Sequence, residues 1–220
     1  MLNTSRRLIP PISGAYDYRL IELEPDELGS FLNRGEFDGL NVTIPYKRDV
    51  IPFLDELTPI AKKIGAVNTI FRRDGRLIGD NTDAYGVRFA LERLGLTLAG
   101  TEALILGSGG TSRTVVAVLR ENGAASVTVV SRQGPVTYPD ALTQIGCNLI
   151  INTTPLGMSP ATEGDPLPLD GFPRLRGVFD VIYNPLRTRF IQRAERLGLP
   201  AANGLWMLIA QAKAAGERFL

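Results

Sequence analysis

The sequence contains no histidine among its 220 residues. Histidine is the usual general acid–base residue near neutral pH and the commonest metal ligand in proteins. Any proton transfer must therefore use lysine, aspartate, glutamate, tyrosine or cysteine, and we expect no metal site.

Cysteine is scarce, and an excess of charge of one sign and long apolar runs are missing. Cys147 is the single cysteine, so no internal disulfide can form, and we expect a core thiol and a cytoplasmic location. The net charge of +1 provides no broad basic surface for nucleic acid. No apolar core of a signal peptide follows Arg6 and Arg7, and no run is long enough for a membrane helix. These absences exclude disulfide-rich, nucleic-acid-binding and membrane-spanning classes.

An apolar stretch, a glycine turn and a helical pattern follow one another near the middle of the chain. Ala103 to Leu106 is typical of a buried parallel strand, and Thr114 to Leu119 indicates a helix. Between them, Gly107, Gly109 and Gly110 let backbone N–H groups approach a phosphate at a helix N-terminus. This pattern alone leaves two interpretations open, a dinucleotide-binding turn or an ordinary tight strand–helix connection.

The residues after the next strand bear on which dinucleotide would fit. Ser126 to Val130 predicts a strand, which is followed by Ser131 and Arg132 where an NAD site usually carries an acid. Arg132, with Arg113 nearby, suits the 2′-phosphate of NADP. The pattern favours NADP over NAD, against the alternative that both arginines are solvated surface charges.

Two patterns of organisation divide the chain. The first part predicts a strand from Tyr16 to Leu23, a helix from about Tyr46 to Leu54 and a hairpin that turns at Asp74-Gly75. From Thr101 onward, short apolar strands alternate with helices, which indicates a parallel α/β sheet. The sequence therefore predicts an α/β protein.

Several segments together resemble the shikimate dehydrogenase family. They are Gly39 to Lys47 (GLNVTIPYK), Gly65 to Thr69 (GAVNT), Gly79 to Asp83 (GDNTD), Asp180 to Thr188 (DVIYNPLRT), the glycine turn at Gly107 and Met207 to Ala212 (MLIAQA). The combination is specific although each piece alone is not.

The resemblance implies a two-domain fold and a reaction. Residues 1–86, completed by the C-terminal helix 204–220, would form a small N-terminal α/β substrate domain. Residues 87–203 would form a Rossmann-type parallel-sheet domain that binds NADP, with the active site in the cleft between the two. The implied activity is the reversible reduction of 3-dehydroshikimate to shikimate with NADPH, in aromatic amino acid biosynthesis. The implied partner is a small molecule, shikimate or a close analogue, bound by a monomer or homodimer.

The resemblance also assigns roles to individual residues. Lys47 and Asp83 match the catalytic pair, and a lysine ammonium is suited to a carbonyl oxygen that must gain a proton. Taken singly, Lys47 is also compatible with a solvated helix residue, and Asp83 is also compatible with an N-cap. The matching substrate-binding residues are Asn41, Thr43, Asn68, Tyr183 and Gln211, and the matching cofactor-binding residues are Gly107, Gly109, Gly110, Arg132, Thr153, Met158 and Gly204.

One family feature has no match in the sequence. Family members begin with a strand and carry a Ser-x-Ser-Pro element that binds the substrate carboxylate, whereas residues 1–13 contain neither. We therefore expect an exposed sheet edge and a weaker hold on an anionic substrate. Three explanations are open: a late start relative to the natural gene, replacement of the serines by Arg6 or Arg7, or a divergent paralogue.

Two functional alternatives accompany the leading interpretation. The first is a quinate/shikimate-type paralogue with relaxed substrate choice. The second is a nucleotide-binding protein that has lost catalysis, which the unmatched serine element favours and the pair Lys47 and Asp83 disfavours.

Overall fold

In a computed structural model, which describes residues 19–219, the chain divides into two units. Unit 1 contains the residues through Tyr85 and those from Ile209 onward, and unit 2 contains Gly86–Leu208. No helix within the described range is long and apolar enough to cross a membrane.

Unit 1 is built on a four-stranded sheet. Its strands are β1 (Gly39–Asn41), β2 (Glu56–Leu57), β3 (Thr69–Arg73) and β4 (Arg76–Asp80), and its helices are α1 (Glu27–Arg34), a 3-10 helix (Ile51–Phe53), α2 (Pro59–Ile64) and the start of α3 (Asp83–Glu92). The strand order is β1-β3-β4-β2. Strand β3 pairs antiparallel with β1 and β4, whereas β2 pairs parallel with β4. Within residues 19–219, β1 and β2 are therefore the two edges of this sheet.

The β3–β4 hairpin follows directly from its turn residues. Asp74 and Gly75 have φ angles of +52° and +77°. Positive φ at both central residues is the requirement of a type I′ turn, whose twist matches that of paired strands. The predicted hairpin at Asp74-Gly75 is confirmed.

Two local predictions in unit 1 are wrong. The part of the Tyr16–Leu23 segment that lies inside the described range is not a strand, and the Leu23 carbonyl accepts from Tyr46 Oη at 2.5 Å. The segment expected to be helical up to Leu54 forms turns and the 3-10 helix instead. Proline at position 52 has no N–H to donate to the carbonyl four residues earlier, so an α-helix cannot continue there.

Unit 2 contains a five-stranded parallel sheet. Its elements are β5 (Glu102–Leu106), α4 (Gly110–Glu121), β6 (Ser126–Val130), α5 (Tyr138–Ala141), β7 (Leu149–Asn152), β8 (Gly177–Asp180), α6 (Arg189–Arg196), β9 (Ala201–Ala202) and the first part of α7 (Gly204–Arg218). The strand order is β6-β5-β7-β8-β9, and every pair is parallel. The predicted parallel Rossmann-type architecture is confirmed.

The order of these strands reverses between β5 and β7. Open parallel sheets bind ligands outside the carboxyl ends of their strands at such a point. Strands β7 and β8 are buried along their whole length, as expected for a sheet covered on both faces. Cys147 lies in the same core, where burial raises the pKa of its thiol to about 12, so it stays protonated.

The C-terminal helix is tied to unit 1 by an ion pair. The Asp80 side chain, at the end of β4, is fully buried, and Arg218 Nε donates to its Oδ2 at 3.0 Å. Its Oδ1 accepts from Thr58 Oγ1 at 2.6 Å and from the Asn81 N–H at 2.8 Å. A buried carboxylate needs hydrogen-bond donors on both of its oxygens. Thr58 and Asn81 donate to Oδ1, and Arg218 donates to Oδ2 and adds a positive charge.

We expect Arg218→Leu to lower the free energy of unfolding by about 1–3 kcal/mol, because it leaves the Asp80 carboxylate without its cation. Urea denaturation followed by circular dichroism measures this loss. Lys213→Leu is the control on the same helix, since the Lys213–Glu217 pair is exposed on both sides. It should change the unfolding free energy by less than about 1 kcal/mol. Equal losses in the two variants would contradict a specific role for the buried pair.

Candidate active site

Unit 1 brings Lys47 and Asp83 into direct contact. Lys47 Nζ lies 2.6 Å from Asp83 Oδ2, and the two side chains are 29% and 18% exposed. The pair is therefore accessible to a small molecule while being partly withdrawn from water. A charge-assisted hydrogen bond of this length fixes the ammonium in one position.

Backbone hydrogen bonds hold the two residues in place. The Val67 N–H donates to the Lys47 carbonyl at 2.7 Å, which ties the loop after β1 to the segment before β3. Asp83 is the first residue of α3, where a carboxylate is stabilised by the helix dipole. Asp83 therefore lies within the first turn of the helix rather than at the N-cap position before it, and its carboxylate contacts Lys47.

Asn68 links the segment before β3 to the start of α3, where Asp83 lies. Its side chain is buried, and its Oδ1 accepts from the Thr82 N–H at 2.7 Å and from the hydroxyls of Thr69 and Thr82 at 3.0 and 3.1 Å. The backbone donor fixes which end of the amide is oxygen, because an N–H can only donate. The Oδ1 is thus saturated, and only the Nδ2 group can donate to a further partner.

The other substrate residues implied by the resemblance are divided between the units. Asn41 ends β1 opposite Thr69, and Thr43 is exposed two residues further along, on the same loop as Lys47. Gln211 is half-buried in the part of α7 that belongs to unit 1. Tyr183 is half-buried in unit 2. The roles of these residues stay predictions.

The glycine turn of unit 2 lies at the carboxyl end of β5. Gly107 has φ +104°, and a Cβ there would come within 2.8 Å of Thr153 Oγ1 and 3.0 Å of Thr154 Cγ2. Glycine is therefore required by both backbone conformation and space. By contrast, a Cβ added at Gly109 meets nothing within 4 Å, so the space beside this residue is open.

The N-terminus of α4 is suited to an anion. Gly109 precedes the helix and provides no side-chain cap, so the first N–H groups of the helix are not satisfied by a capping side chain. A Cβ at Gly110 would lie 4.0 Å from the Arg113 guanidinium, which places a cation beside the turn. Uncapped N–H groups, open space and a cation together fit a pyrophosphate.

Arg132 occupies the loop after β6 and is exposed. It lies close enough to Tyr138 to influence that phenol, since burial raises the pKa of Tyr138 and the Arg132 charge opposes the rise. An exposed guanidinium at this strand end is free to turn toward a phosphate group.

The loop after β7 is held against β5. The Thr153 N–H and Oγ1 both donate to the Leu106 carbonyl, at 2.8 and 2.7 Å. Met158 is 45% exposed. Gly204, the first residue of α7, has a packing reason to be glycine, because a Cβ there would overlap the Val181 carbonyl oxygen. The predicted cofactor roles of these residues remain predictions.

Asp180 is the polar centre that residue-by-residue reasoning missed. It is fully buried at the end of β8 and accepts from Thr188 Oγ1 at 2.6 Å, Asn152 Nδ2 at 3.0 Å and the Ile182 N–H at 3.1 Å. Burial raises its pKa to about 6, against the effect of these hydrogen bonds. The signal in the sequence is an acid that ends an otherwise apolar strand.

Comparison with known proteins identifies the family. A family model described as the shikimate dehydrogenase substrate binding domain matches residues 12–70. The shikimate dehydrogenase (NADP(+)) of Symbiobacterium thermophilum is 40% identical over 205 residues, which cover 81% of this chain and 69% of the relative.

Solved structures give the same result. The chorismate mutase/shikimate 5-dehydrogenase fusion protein from Clostridium acetobutylicum superposes with a TM-score of 0.83 at 34% identity, covering 90% of this chain and 78% of the other. Shikimate 5-dehydrogenase from Thermus thermophilus, in complex with NADP(H) and shikimate, gives a TM-score of 0.75 at 36% identity, covering 89% and 77%. The chain therefore belongs to the shikimate dehydrogenase family.

Proposed function

We propose that this chain interconverts 3-dehydroshikimate and shikimate with NADP as its cofactor, and that Lys47 and Asp83 carry the proton chemistry. The observation that carries the proposal is the 2.6 Å contact between Lys47 Nζ and Asp83 Oδ2. In a chain without histidine, this partly exposed pair is the arrangement in unit 1 that general acid–base chemistry requires. The related enzymes named above supply the expected substrate and cofactor.

The reduction places specific demands on the pair. When bound, NADPH supplies the hydride that adds to the carbonyl carbon of the substrate. Negative charge then develops on the carbonyl oxygen. The Lys47 ammonium donates a hydrogen bond to this oxygen and then its proton, while the Asp83 carboxylate holds Nζ in line. In the reverse direction, the neutral amine of Lys47 accepts the proton of the substrate hydroxyl.

A polyhydroxylated ring needs amide and hydroxyl partners rather than charges. We assign this task to Asn41, Thr43, Asn68 and Gln211, which all belong to unit 1. Tyr183, in unit 2, is the remaining substrate residue that the family resemblance implies. Asn68 is the most constrained of these, because its saturated Oδ1 leaves Nδ2 as a donor of fixed orientation. A donor of fixed orientation distinguishes a substrate that carries a hydroxyl at this position from one that lacks it more sharply than a mobile donor does.

Unit 2 provides the groups that NADP binding requires. The turn at Gly107, Gly109 and Gly110 would hold the pyrophosphate at the uncapped end of α4. Arg132, assisted by Arg113, would hold the 2′-phosphate beyond β6. The remaining assigned residues, beside the nicotinamide, are Thr153, Met158 and Gly204.

The first test is the reduction of NADP by the purified chain in the presence of shikimate, followed by the absorbance of reduced nicotinamide. We expect turnover, and we expect Lys47→Ala to lower kcat by at least about 100-fold because the proton donor is lost. Lys62→Ala is the matched control, since Lys62 is exposed on α2 in the same unit. It should leave kcat unchanged.

Three outcomes would count against this assignment. NADPH binding without turnover would support the nucleotide-binding alternative. A higher kcat/KM with quinate than with shikimate would support the paralogue. Full activity in Lys47→Ala would remove Lys47 from the mechanism.

Cofactor choice gives an independent prediction. Arg132→Ala should raise the KM for NADP by about tenfold or more, because a charged hydrogen bond to the 2′-phosphate contributes roughly 1.5–3 kcal/mol. The KM for NAD, which has no such phosphate, should change by less than about twofold. Steady-state kinetics with both cofactors measures this difference. Arg120→Ala, at the opposite end of α4, should affect neither cofactor; parallel losses with both would contradict the role of Arg132.

A further inference from the structure

A single buried carboxylate connects the segments that follow β7 and β8. Asp180 ends β8, and its register partner across the sheet is Asn152, which ends β7. Asn152 Nδ2 donates to Asp180 Oδ1 at 3.0 Å, and the Ile182 N–H donates to the same oxygen at 3.1 Å. Thr188 Oγ1 donates to the second oxygen at 2.6 Å. Both oxygens are thus engaged by groups from three parts of unit 2.

Two of the partners of Asp180, Asn152 and Thr188, form hydrogen bonds to further segments of the chain. Asn152 Oδ1 accepts from the Thr154 N–H at 3.0 Å and the Thr154 Oγ1 at 2.7 Å. Thr188 Oγ1 also accepts from the Ile191 N–H at 3.3 Å and so caps α6. Through Asn152, the carboxylate helps to set the conformation of the loop after β7. Through Thr188, it helps to set the position at which the loop after β8 ends and α6 begins.

Burying the Asp180 carboxylate costs free energy, which indicates that this residue has a role other than stabilising the fold. Asp180 is fully buried, and its hydrogen-bond donors are an amide, a backbone N–H and a hydroxyl, all of them neutral. It forms no ion pair with any residue in the range 19–219. A buried charge without a counter-ion is expensive, and an apolar side chain at the end of this strand would cost less. The group lies at the carboxyl edge of the sheet, on β8, which is separated by β7 from the reversal of strand order between β5 and β7.

We propose that Asp180 is a positioning residue for the nicotinamide half of the cofactor, acting through Asn152 and Thr188 on the loops 153–158 and 181–187. This inference rests on the proposed function, because it requires that unit 2 bind NADP. The glycine turn and Arg132, which would hold the other half of the cofactor, form none of these hydrogen bonds. Gly107 lies beside Thr153 and Thr154 but shares none of these hydrogen bonds, so Asp180 should affect the nicotinamide half of the dinucleotide more than the other half.

The test compares NADPH with adenosine 2′,5′-bisphosphate, a fragment that lacks the nicotinamide. In Asp180→Asn, the amide cannot accept on both sides, so one of the three hydrogen bonds is lost or reversed. We expect kcat for shikimate oxidation to fall about tenfold and the Kd of NADPH to rise several-fold, because the reacting ring is held less well. The Kd of the fragment and the KM for shikimate should stay within about twofold.

Asp170→Asn is the matched control. It makes the same chemical change in unit 2 at a carboxylate that is exposed and pairs with Arg193. All four measured constants should equal those of the unchanged chain. Calorimetry measures the Kd of the fragment, and nicotinamide fluorescence measures the Kd of NADPH.

The outcomes separate this inference from the proposed function. Failure of the unchanged chain to bind NADPH or oxidise shikimate overturns the proposed function. Normal activity of the unchanged chain together with an unaffected Asp180→Asn variant overturns the inference alone. Equal weakening of NADPH and the fragment also overturns it, because that pattern indicates a general loss of structure.

A second pair of variants covers the case in which Asp180→Asn does not fold. Thr188→Val removes the 2.6 Å hydrogen bond while the carboxylate remains, and Thr188→Ser restores the hydroxyl. We expect the valine variant to lower kcat and leave fragment binding unchanged, and the serine variant to recover kcat. A valine variant with full kcat, or one that the serine variant does not surpass, overturns the inference.

Discussion

The buried ion pair between Asp80 and Arg218 is the interaction on which unit 1 depends. The chain leaves this unit at α3, forms all of unit 2 and returns along α7. Arg218, in the last turn of α7, meets a carboxylate at the end of β4 that is otherwise buried without a cation. Two segments more than a hundred residues apart are thus joined by a contact whose loss leaves a charge in the interior.

In both units, buried polar side chains hold the segments that follow the strands of the sheet. In unit 1, a buried asparagine, Asn68, accepts three hydrogen bonds and fixes the approach to Asp83. In unit 2, Asn152 and Asp180 share a hydrogen bond across neighbouring strand ends. Loops that carry reacting groups must be held without filling the space that a ligand needs, and buried polar side chains hold them from below the surface.

Parts of the fold and site follow from local chemistry, and others do not. The hairpin at Asp74-Gly75 and the glycine turn at Gly107 were predictable because positive φ angles demand particular residues. The strand predicted up to Leu23 failed because alternation shows which faces a segment offers but not whether a partner strand is present. The 3-10 helix at Ile51–Phe53 replaced an α-helix because one proline outweighed a favourable apolar pattern.

The sequence by itself determined the chemistry available to this protein. Without histidine, any proton transfer must use lysine, aspartate, glutamate, tyrosine or cysteine. Lys47 and Asp83 are 36 residues apart and belong to motifs that resemble one family. Only the tertiary structure decided that their side chains lie 2.6 Å apart. It also decided that Asp180, at the end of β8, accepts hydrogen bonds from three parts of unit 2. The reason is that a hydrogen bond forms only between groups that are close in space. Strand pairing brings together residues that are far apart along the chain, and their sequence separation does not show which of them will meet.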